Sequence, residues 1–205
     1  MTQPPPLPAD YARLIASDRV SERTRIALLA RAQPDDPAYQ PHAMPPACFA
    51  TLRALTDRIL PQTGAVIDIA QRLDALLAVG LGDGWRFADL PADRDAYETG
   101  LAALDAWARA AHGKAFASLE IGLQDAMLSD MAAGRAPAGG GRMSPAHLAR
   151  WFEDVRADAT RLYVAHPSTL ARIRYAGFAY GGDSKCLPGF HALKPGEHEA
   201  WEPGA

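Results

Sequence analysis

Histidines are the residues of this 205-residue chain best suited to bind a metal or carry a proton. None lies in an H-E-x-x-H motif, and no two are four residues apart on a predicted helix. His198 lies between Glu197 and Glu199, but a solvated polar patch is the favoured interpretation because few other ligands lie nearby. His166, directly before Pro167, is interpreted as the C-terminal residue of a helix, where a partly cationic ring is favoured. The pattern predicts no metal site among the six histidines: His42, His112, His147, His166, His191 and His198.

Nucleophilic and phosphate-binding motifs are equally absent. The chain has no G-x-S-x-G motif, and Ser184 follows no predicted strand that could present it. Lys185 could lower the pKa of the neighbouring Cys186, but an incidental thiol is the simpler interpretation. The glycine-rich runs 80–84 and 138–142 follow predicted helices and not strands, so neither predicts a nucleotide site. The sequence therefore predicts no catalytic residue and no bound cofactor in this chain.

Composition and charge exclude further classes of function. The net charge is −3, with 21 Lys and Arg against 24 Asp and Glu, and no basic stripe indicates nucleic-acid binding. No run of about 18 apolar residues predicts insertion into a membrane. The first residues, MTQPPPLPADYARL, carry no secretory or twin-arginine signal, so we expect a cytoplasmic protein unless a partner carries it out. Cys48 and Cys186 share no C-x-x-C motif and are expected to be free thiols, with a disulfide left open in an oxidising compartment.

The elements that must position any site are predicted to be helices. Two short helices are expected at about 10–16 and 21–32, the second capped by Ser21, before the proline-rich connector 34–46. Five longer stripes of apolar residues then recur at helical spacing. They run over 49–59, 66–77, 97–111, 116–131 and 148–162.

The residues at the ends of these stripes suit helix starts and stops. Prolines or a Ser-Pro pair open the first and fifth helices, and glycines follow the second, third and fourth, where a left-handed cap fits. They are Pro45, Pro46, Gly80, Gly113, Gly134, Ser144 and Pro145.

Four aspartates are interpreted as solvated charges on the faces opposite the apolar stripes. They are Asp68, Asp74, Asp125 and Asp130.

The sequence thus predicts an all-α fold, a bundle of about five main helices with an irregular arm at each end. The predicted segments are an N-terminal arm with short helices over 1–44, the bundle over 45–165 and a C-terminal arm over 166–205.

The C-terminal arm is rich in aromatic residues although it has no helical or strand period. Its aromatic residues are interleaved with glycines, which let a backbone follow an uneven surface. The surface could belong to this protein, with the arm folded back, or to a partner. We hypothesise partner binding by Tyr175, Phe178, Tyr180, Gly181, Gly182, Phe190 and Trp201.

Four stretches resemble the gluconate 2-dehydrogenase subunit 3 family, the small subunits of flavin-dependent sugar and alcohol dehydrogenases. FATLRALTDRILPQTG (49–64) is similar to the family's opening helix, and YETGLAALDAWARAAHGKAFASL (97–119) to its central repeat of Gly-Leu, Leu-Asp and a Gly followed by Phe. LQDAMLSDMAAG (123–134) resembles the glutamine-containing helix that comes next. LYVAHPSTLARIRYAGFAYGG (162–182) resembles the closing segment rich in Tyr, Pro and Gly.

The resemblance implies a non-catalytic subunit that binds and stabilises a large flavoprotein of the glucose-methanol-choline type and assists its maturation. It implies FAD in that partner, none in this chain, and in some complexes a cytochrome subunit as well. Many members of the family supply a twin-arginine export signal, which this sequence lacks. Two other hypotheses stay open: a self-contained helical enzyme whose site assembles from residues such as His112, Glu120 and His147, and an independent helical scaffold or chaperone.

Overall fold

The computed structural model describes residues 6–64, 66–80, 87–137, 143–184 and 190–203. These ranges hold eight α-helices, one 3-10 turn at Phe116–Ser118 and no strand. The helices are α1 Ala9–Ala16, α2 Glu22–Arg31, α3 Pro46–Ile59, α4 Ile69–Ala78, α5 Asp93–His112, α6 Ile121–Ala132, α7 Pro145–Val164 and α8 Pro167–Arg172. The predicted all-α class is confirmed, and the helix count exceeds five because α1, α2 and α8 add to the five main helices α3 to α7.

The helix ends confirm the predicted capping residues where the structure describes them. Ser21 Oγ accepts a hydrogen bond from Thr24 N at 3.2 Å, and Ser144 Oγ accepts one from His147 N, also at 3.2 Å. Each bond satisfies a backbone donor that the first turn of a helix leaves without a partner. Gly113 ends α5 with φ +69°, the left-handed conformation that glycine adopts without steric cost.

The prediction of one continuous helix through 116–131 is wrong at its start. Phe116 lies in the 3-10 turn, Leu119 is extended with ψ 153°, and α6 begins only at Ile121. Asp105 Oδ1 accepts a hydrogen bond from Phe116 N at 2.9 Å, which holds this turn against α5. The apolar spacing stays in phase across the break, so periodicity alone could not reveal it.

The described residues divide into two compact units. The first, here the terminal unit, contains residues 6–35, 66–67, 163–184 and 190–203. The second, here the bundle unit, contains residues 36–64, 68–80, 87–137 and 143–162. Residues 6–35 of the predicted N-terminal arm and the described residues of the predicted C-terminal arm therefore belong to the same unit, whereas residues 36–44 belong to the bundle unit.

The core of the bundle unit is apolar and closely packed around Trp151. The Trp151 side chain is fully buried, and its ring meets that of Tyr97 edge to face at 6.1 Å. A Cβ at Gly100 would lie 2.4 Å from the indole, so only glycine allows α5 to approach α7 this closely. The other large side chains fully buried in this unit are Leu52, Leu55, Leu101, Leu104, Phe116, Met131 and Val155.

Asp74 overturns the interpretation of its carboxylate as a solvated charge, because the residue is fully buried in the bundle unit. Its oxygens accept three hydrogen bonds from the connector before α3: from Tyr39 OH at 2.7 Å, His42 N at 2.6 Å and Ala43 N at 3.1 Å. Burial and the hydrogen bond to Asp74 both raise the pKa of the Tyr39 hydroxyl. The carboxylate therefore fixes a connector that has no regular structure of its own.

The other three aspartates of that set each have a cationic partner. Asp125 accepts two hydrogen bonds from Arg58, at 2.7 and 3.0 Å, and Asp130 pairs with Arg135 at 2.6 Å. Asp68 differs from a merely solvated charge because its side chain caps α4, accepting a hydrogen bond from Gln71 N at 3.0 Å, and pairs with an arginine of α3.

His166 also differs from its interpretation, because it caps the start of α8 and does not end α7. The residue is buried, and Nδ1 accepts a hydrogen bond from Ser168 N at 3.2 Å. Pro167 then occupies the first position of α8, where a missing N–H costs nothing. The helix stop predicted at His166-Pro167 is thus also the start of a short helix.

Candidate partner-binding surface

The terminal unit has its own apolar core, built from both ends of the chain. Helices α1 and α2 with the turn between them contribute five of its eight buried residues, and residues at and after α8 contribute the other three. Phe178 and Trp201 pack at its margin, half-buried. The buried members are Tyr11, Leu14, Ile15, Val20, Leu28, Leu170, Ala176 and Ala179.

Tyr11 joins the N-terminal helix to the segment after α8. Its hydroxyl donates a hydrogen bond to the carbonyl of Tyr175 at 2.7 Å, and its ring meets Phe178 edge to face at 5.8 Å. Burial is the main reason that the pKa of the Tyr11 hydroxyl is raised, so the group stays a donor throughout the physiological pH range. This contact fixes the backbone position of Tyr175.

The paired glycines of the C-terminal segment bind the turn between α1 and α2. Gly181 N and Gly182 N both donate to the carbonyl of Arg19, at 3.1 and 2.6 Å. Gly182 has φ +65°, and a Cβ there would lie 1.9 Å from the Asp18 carbonyl oxygen, so a side chain is excluded. Asp183 Oδ2 then accepts a hydrogen bond from Glu22 N at 2.8 Å, at the start of α2.

Trp201 is held by Arg19 and Phe190. The Arg19 guanidinium carbon lies 4.3 Å from the centroid of the indole ring, and the Phe190 ring lies 5.6 Å from it. Glu199 Oε1 accepts a hydrogen bond from Ala192 N at 2.9 Å and another from the preceding amide. These backbone hydrogen bonds lower the pKa of the Glu199 carboxyl below its usual value. Side-chain contacts thus order residues 190–203 without a helix.

The structure divides the seven predicted partner-binding residues into two groups. Phe178, Gly181, Gly182 and Trp201 contact the chain's own terminal unit, as the fold-back alternative expects. The three other side chains remain exposed: Tyr175 by 49%, Tyr180 by 42% and Phe190 by 38%. A partner for any of the seven stays a prediction, and the exposed three are the ones a partner could reach.

Exposed apolar side chains, both within and outside the predicted set, concentrate in the terminal unit. Within the described ranges, eight of the eleven exposed large apolar residues belong to this unit, although it is the smaller of the two. Such a concentration is typical of protein interaction sites. The eight, here the apolar surface, are Ile26, Leu29, Val164, Ile173, Tyr175, Tyr180, Phe190 and Leu193.

Sequence reasoning missed Ile26 and Leu29, although α2 carries a signal for them. Leu28 faces the core, so Ile26 and Leu29, on either side of it, cannot both point inward on a helix of 3.6 residues per turn. Ile26 is 62% exposed and Leu29 is 47% exposed. An excess of apolar residues on a short helix is the pattern that could have indicated this surface.

The motif residues of the bundle unit meet at Phe116. Asp105 accepts a hydrogen bond from Phe116 N, and Gln124 Nε2 donates to Phe116 O at 2.9 Å from a buried position. Both backbone groups of this buried residue are therefore satisfied by side chains from neighbouring helices. The Leu-Asp, Gly-to-Phe and glutamine motifs of the sequence thus build one corner that packs α5 against α6.

No group of three or more His, Cys, Asp or Glu side chains in the described ranges could hold a metal ion. No helix in those ranges has the length and apolarity needed to cross a bilayer. Cys48 is half-buried, and burial raises the pKa of its thiol, which lowers its reactivity. Residues 81–84 of the first glycine-rich run, the whole of the second run 138–142, Lys185 and Cys186 lie outside the described residues.

Comparison with known proteins supports the family indicated by these motifs. The family model for gluconate 2-dehydrogenase subunit 3 matches residues 46–182, about two thirds of the chain. Comparisons with curated proteins and with solved structures found no significant match. The match includes the Phe116 corner, the Gly100 contact with Trp151 and the paired glycines that bind Arg19. The chain therefore belongs to the gluconate 2-dehydrogenase subunit 3 family.

Proposed function

We propose that this protein is a non-catalytic small subunit that binds and stabilises a large FAD-dependent dehydrogenase subunit and assists its maturation. The partner is a flavoprotein of the glucose-methanol-choline type that oxidises a sugar or an alcohol. In this proposal the partner holds the FAD and performs the oxidation, and the small subunit holds no cofactor. Family membership, which names a subunit of a dehydrogenase, supports the accessory role.

The apolar surface of the terminal unit is the observation that carries the proposal. Burying apolar area contributes roughly 25 cal/mol per Å², so several half-exposed side chains together can hold a subunit. The surface includes two tyrosines and a phenylalanine, and aromatic residues are enriched in protein interfaces. In this chain those side chains are exposed to water, and a large partner would bury them.

The order of this surface before binding further supports the proposal. Tyr175 is fixed at its backbone by Tyr11, and Phe190 packs on Trp201 beneath Arg19. Side chains that are already ordered lose little conformational entropy when a partner covers them. The aromatic side chains are therefore suited to act as anchors.

The use of the motif residues inside the bundle unit is consistent with an accessory role. Asp105 and Gln124, the polar side chains nearest the motif phenylalanine, are both engaged with its backbone. Their hydrogen bonds therefore support packing at this corner. The bundle unit would then act as a scaffold, and the terminal unit would carry the contact with the partner.

Co-expression tests the proposal directly. The tagged chain is produced with an untagged large flavoprotein subunit encoded by a neighbouring gene, and the eluate is examined for a second band and for flavin absorbance. We expect a stoichiometric yellow complex with dye-linked dehydrogenase activity. Haem absorbance in the same eluate would add a cytochrome subunit to the complex. A colourless, solitary small protein, or substrate turnover by this chain alone, would contradict the proposal.

Two matched double variants test whether the apolar surface makes the contact. Ile26→Ser with Leu29→Ser removes exposed apolar side chains from the terminal unit, and we expect it to reduce the yield of flavoprotein strongly. Val79→Ser with Ile121→Ser removes side chains of the bundle unit that are 66% and 60% exposed, and should leave the yield unchanged. Equal loss in both double variants would show that the terminal unit is not the specific contact.

A further inference from the structure

Arg174 has a backbone conformation that favours glycine. Its φ is +55°, and it is the only non-glycine residue with a positive φ among the described residues. Tyr175 N donates to Leu170 O at 2.9 Å and Arg174 N donates to Ala171 O at 3.1 Å, the hydrogen bonds of a Schellman cap at the end of α8. Glycine usually occupies this position because a Cβ is strained there. This chain therefore has an arginine at a position where a side chain weakens the fold.

The Arg174 side chain makes no hydrogen bond or ion pair with any described residue that would offset this strain. It is exposed on the surface of the terminal unit. Arg172, two residues earlier, provides the contrast, because its guanidinium bonds the Tyr163 hydroxyl and lies 5.4 Å from that ring. Strained residues that the fold does not itself require are found at functional sites. We therefore expect the Arg174 side chain to act through contact with another molecule.

Two exposed apolar side chains flank Arg174, and one of them is rigidly placed. Ile173 is 56% exposed and Tyr175 is 49% exposed. The Tyr175 ring packs 6.2 Å from Phe178, and a Cβ at Gly177 would lie 2.8 Å from its hydroxyl end, so the ring lies directly over a glycine. Arginine and tyrosine are enriched in interface hot spots.

We propose that Ile173, Arg174 and Tyr175, here the α8 cap, bind a carboxylate at the edge of an apolar pocket on the large flavoprotein subunit. The inference rests on the proposed function and names the chemistry of the contact. The planar guanidinium offers a fork of donors that matches a carboxylate, and its positive charge selects an acidic partner. A residue in the left-handed conformation directs its side chain differently from a helical residue. This direction of the guanidinium is the reason that an arginine occupies the strained position.

Arg174→Gly separates the two roles of the residue, because it relieves the strain and removes the guanidinium. We expect its melting temperature to rise by about 2–4 °C in the isolated protein. In co-expression with differently tagged wild-type chain, the variant should capture about tenfold less flavoprotein. Arg174→Lys keeps the charge and the strain but loses the fork, so its melting temperature should be unchanged and its capture intermediate.

Arg94→Ala is the matched control for charge. Arg94 is exposed in the first turn of α5 in the bundle unit and has no partner among the described residues. The variant loses the same positive charge, and its capture of flavoprotein should equal that of wild type. If Arg94→Ala captures as little flavoprotein as Arg174→Gly, general charge attraction explains the binding, and the proposed role of the α8 cap is wrong.

The remaining outcomes separate this inference from the proposed function. If the wild-type chain and Arg174→Gly capture equal amounts of flavoprotein, the proposed role of the α8 cap is wrong and the proposed function stands. Wild-type chain that captures no flavoprotein would overturn both. Sedimentation that shows a wild-type homodimer dissociated by Arg174→Gly would assign the surface to a second copy of this chain and would also overturn the inference.

Discussion

The bundle unit and the terminal unit differ in where their apolar and polar groups find partners. In the bundle unit, the buried carboxylate of Asp74 accepts three hydrogen bonds, and Phe116 has both backbone groups bound by side chains. In the terminal unit, large apolar side chains remain in water, and Arg174 keeps a strained backbone. The difference is that the bundle unit satisfies its groups internally, and this is why the proposed contact with a partner is assigned to the terminal unit.

The largest expected effect is on the bundle unit, at Asp74. Asp74→Ala should lower the free energy of unfolding by about 3–9 kcal/mol, because three donors lose their acceptor and each one left unsatisfied costs about 1–3 kcal/mol. Urea denaturation measures the loss. Asp74→Asn, which keeps the shape and one acceptor oxygen, should lie between wild type and Asp74→Ala. A loss below about 1 kcal/mol for Asp74→Ala would show that the connector is not fixed by this carboxylate.

Glycine substitutions test the close packing of the bundle unit. Gly100→Ala should destabilise by about 1–3 kcal/mol because its Cβ would enter the Trp151 ring. Gly122→Ala is the control, since a Cβ at Gly122 in α6 meets no atom within 4 Å. There alanine should stabilise by about 0.5–1 kcal/mol through helix propensity. Equal effects at the two glycines would contradict the packing described around Trp151.

Trp201 tests how firmly the C-terminal segment is held. Trp201→Ala should lower the stability of the terminal unit by about 1–2 kcal/mol, since it removes a half-buried indole from the core margin and from Arg19. Calorimetry of the isolated protein measures this change, with Leu193→Ala as the control because Leu193 is 81% exposed. Unchanged stability together with lost capture of the partner would instead assign Trp201 to the interface.

The smallest effect on stability is expected at the apolar surface itself. Ile26→Ser with Leu29→Ser should change the free energy of unfolding by no more than about 0.5 kcal/mol per site, because both side chains are already in water. Chemical denaturation of the double variant measures it, and the capture of flavoprotein is measured in the same preparation. A loss of several kcal/mol would show that α2 packs on both faces, and the contrast between the two units would fail.

Local chemistry made much of the fold predictable from the sequence. Helix period predicted the five main helices, Ser144 and Gly113 marked ends of two of them, and Ser21 marked the start of α2, because a cap depends on residues within one turn. The burial of Asp74 was not predictable in this way, since its three donors lie 31 to 35 residues earlier in a segment without period. The break before α6 was not predicted for a different reason. The apolar residues on its two sides keep the spacing of one continuous helix.

The candidate surface stays a prediction, and the sequence indicated only some of the residues that form it. Aromatic residues among glycines indicated a docked segment, and Tyr175, Tyr180 and Phe190 are exposed as a contact would require. The contact between Trp201 and Arg19 could not be predicted from the sequence around either residue, because the two lie far apart in the chain. Arg174 gave no signal at all, since only the observed backbone angle distinguishes it from an ordinary surface arginine.

The joining of both chain ends in the terminal unit has a consequence for biosynthesis. The hydrogen bond from Tyr11 to Tyr175 closes a separation of 164 residues, and that from Glu22 to Asp183 closes one of 161. Such contacts form late, because the entropy of closing a long loop must be overcome before they contribute. We therefore expect the bundle unit, which ends at residue 162, to fold before the terminal unit, which can form only once Asp183 has left the ribosome. A chain cut short before Tyr175 would lack Tyr175, Tyr180, Phe190 and Leu193, which are half of the apolar surface.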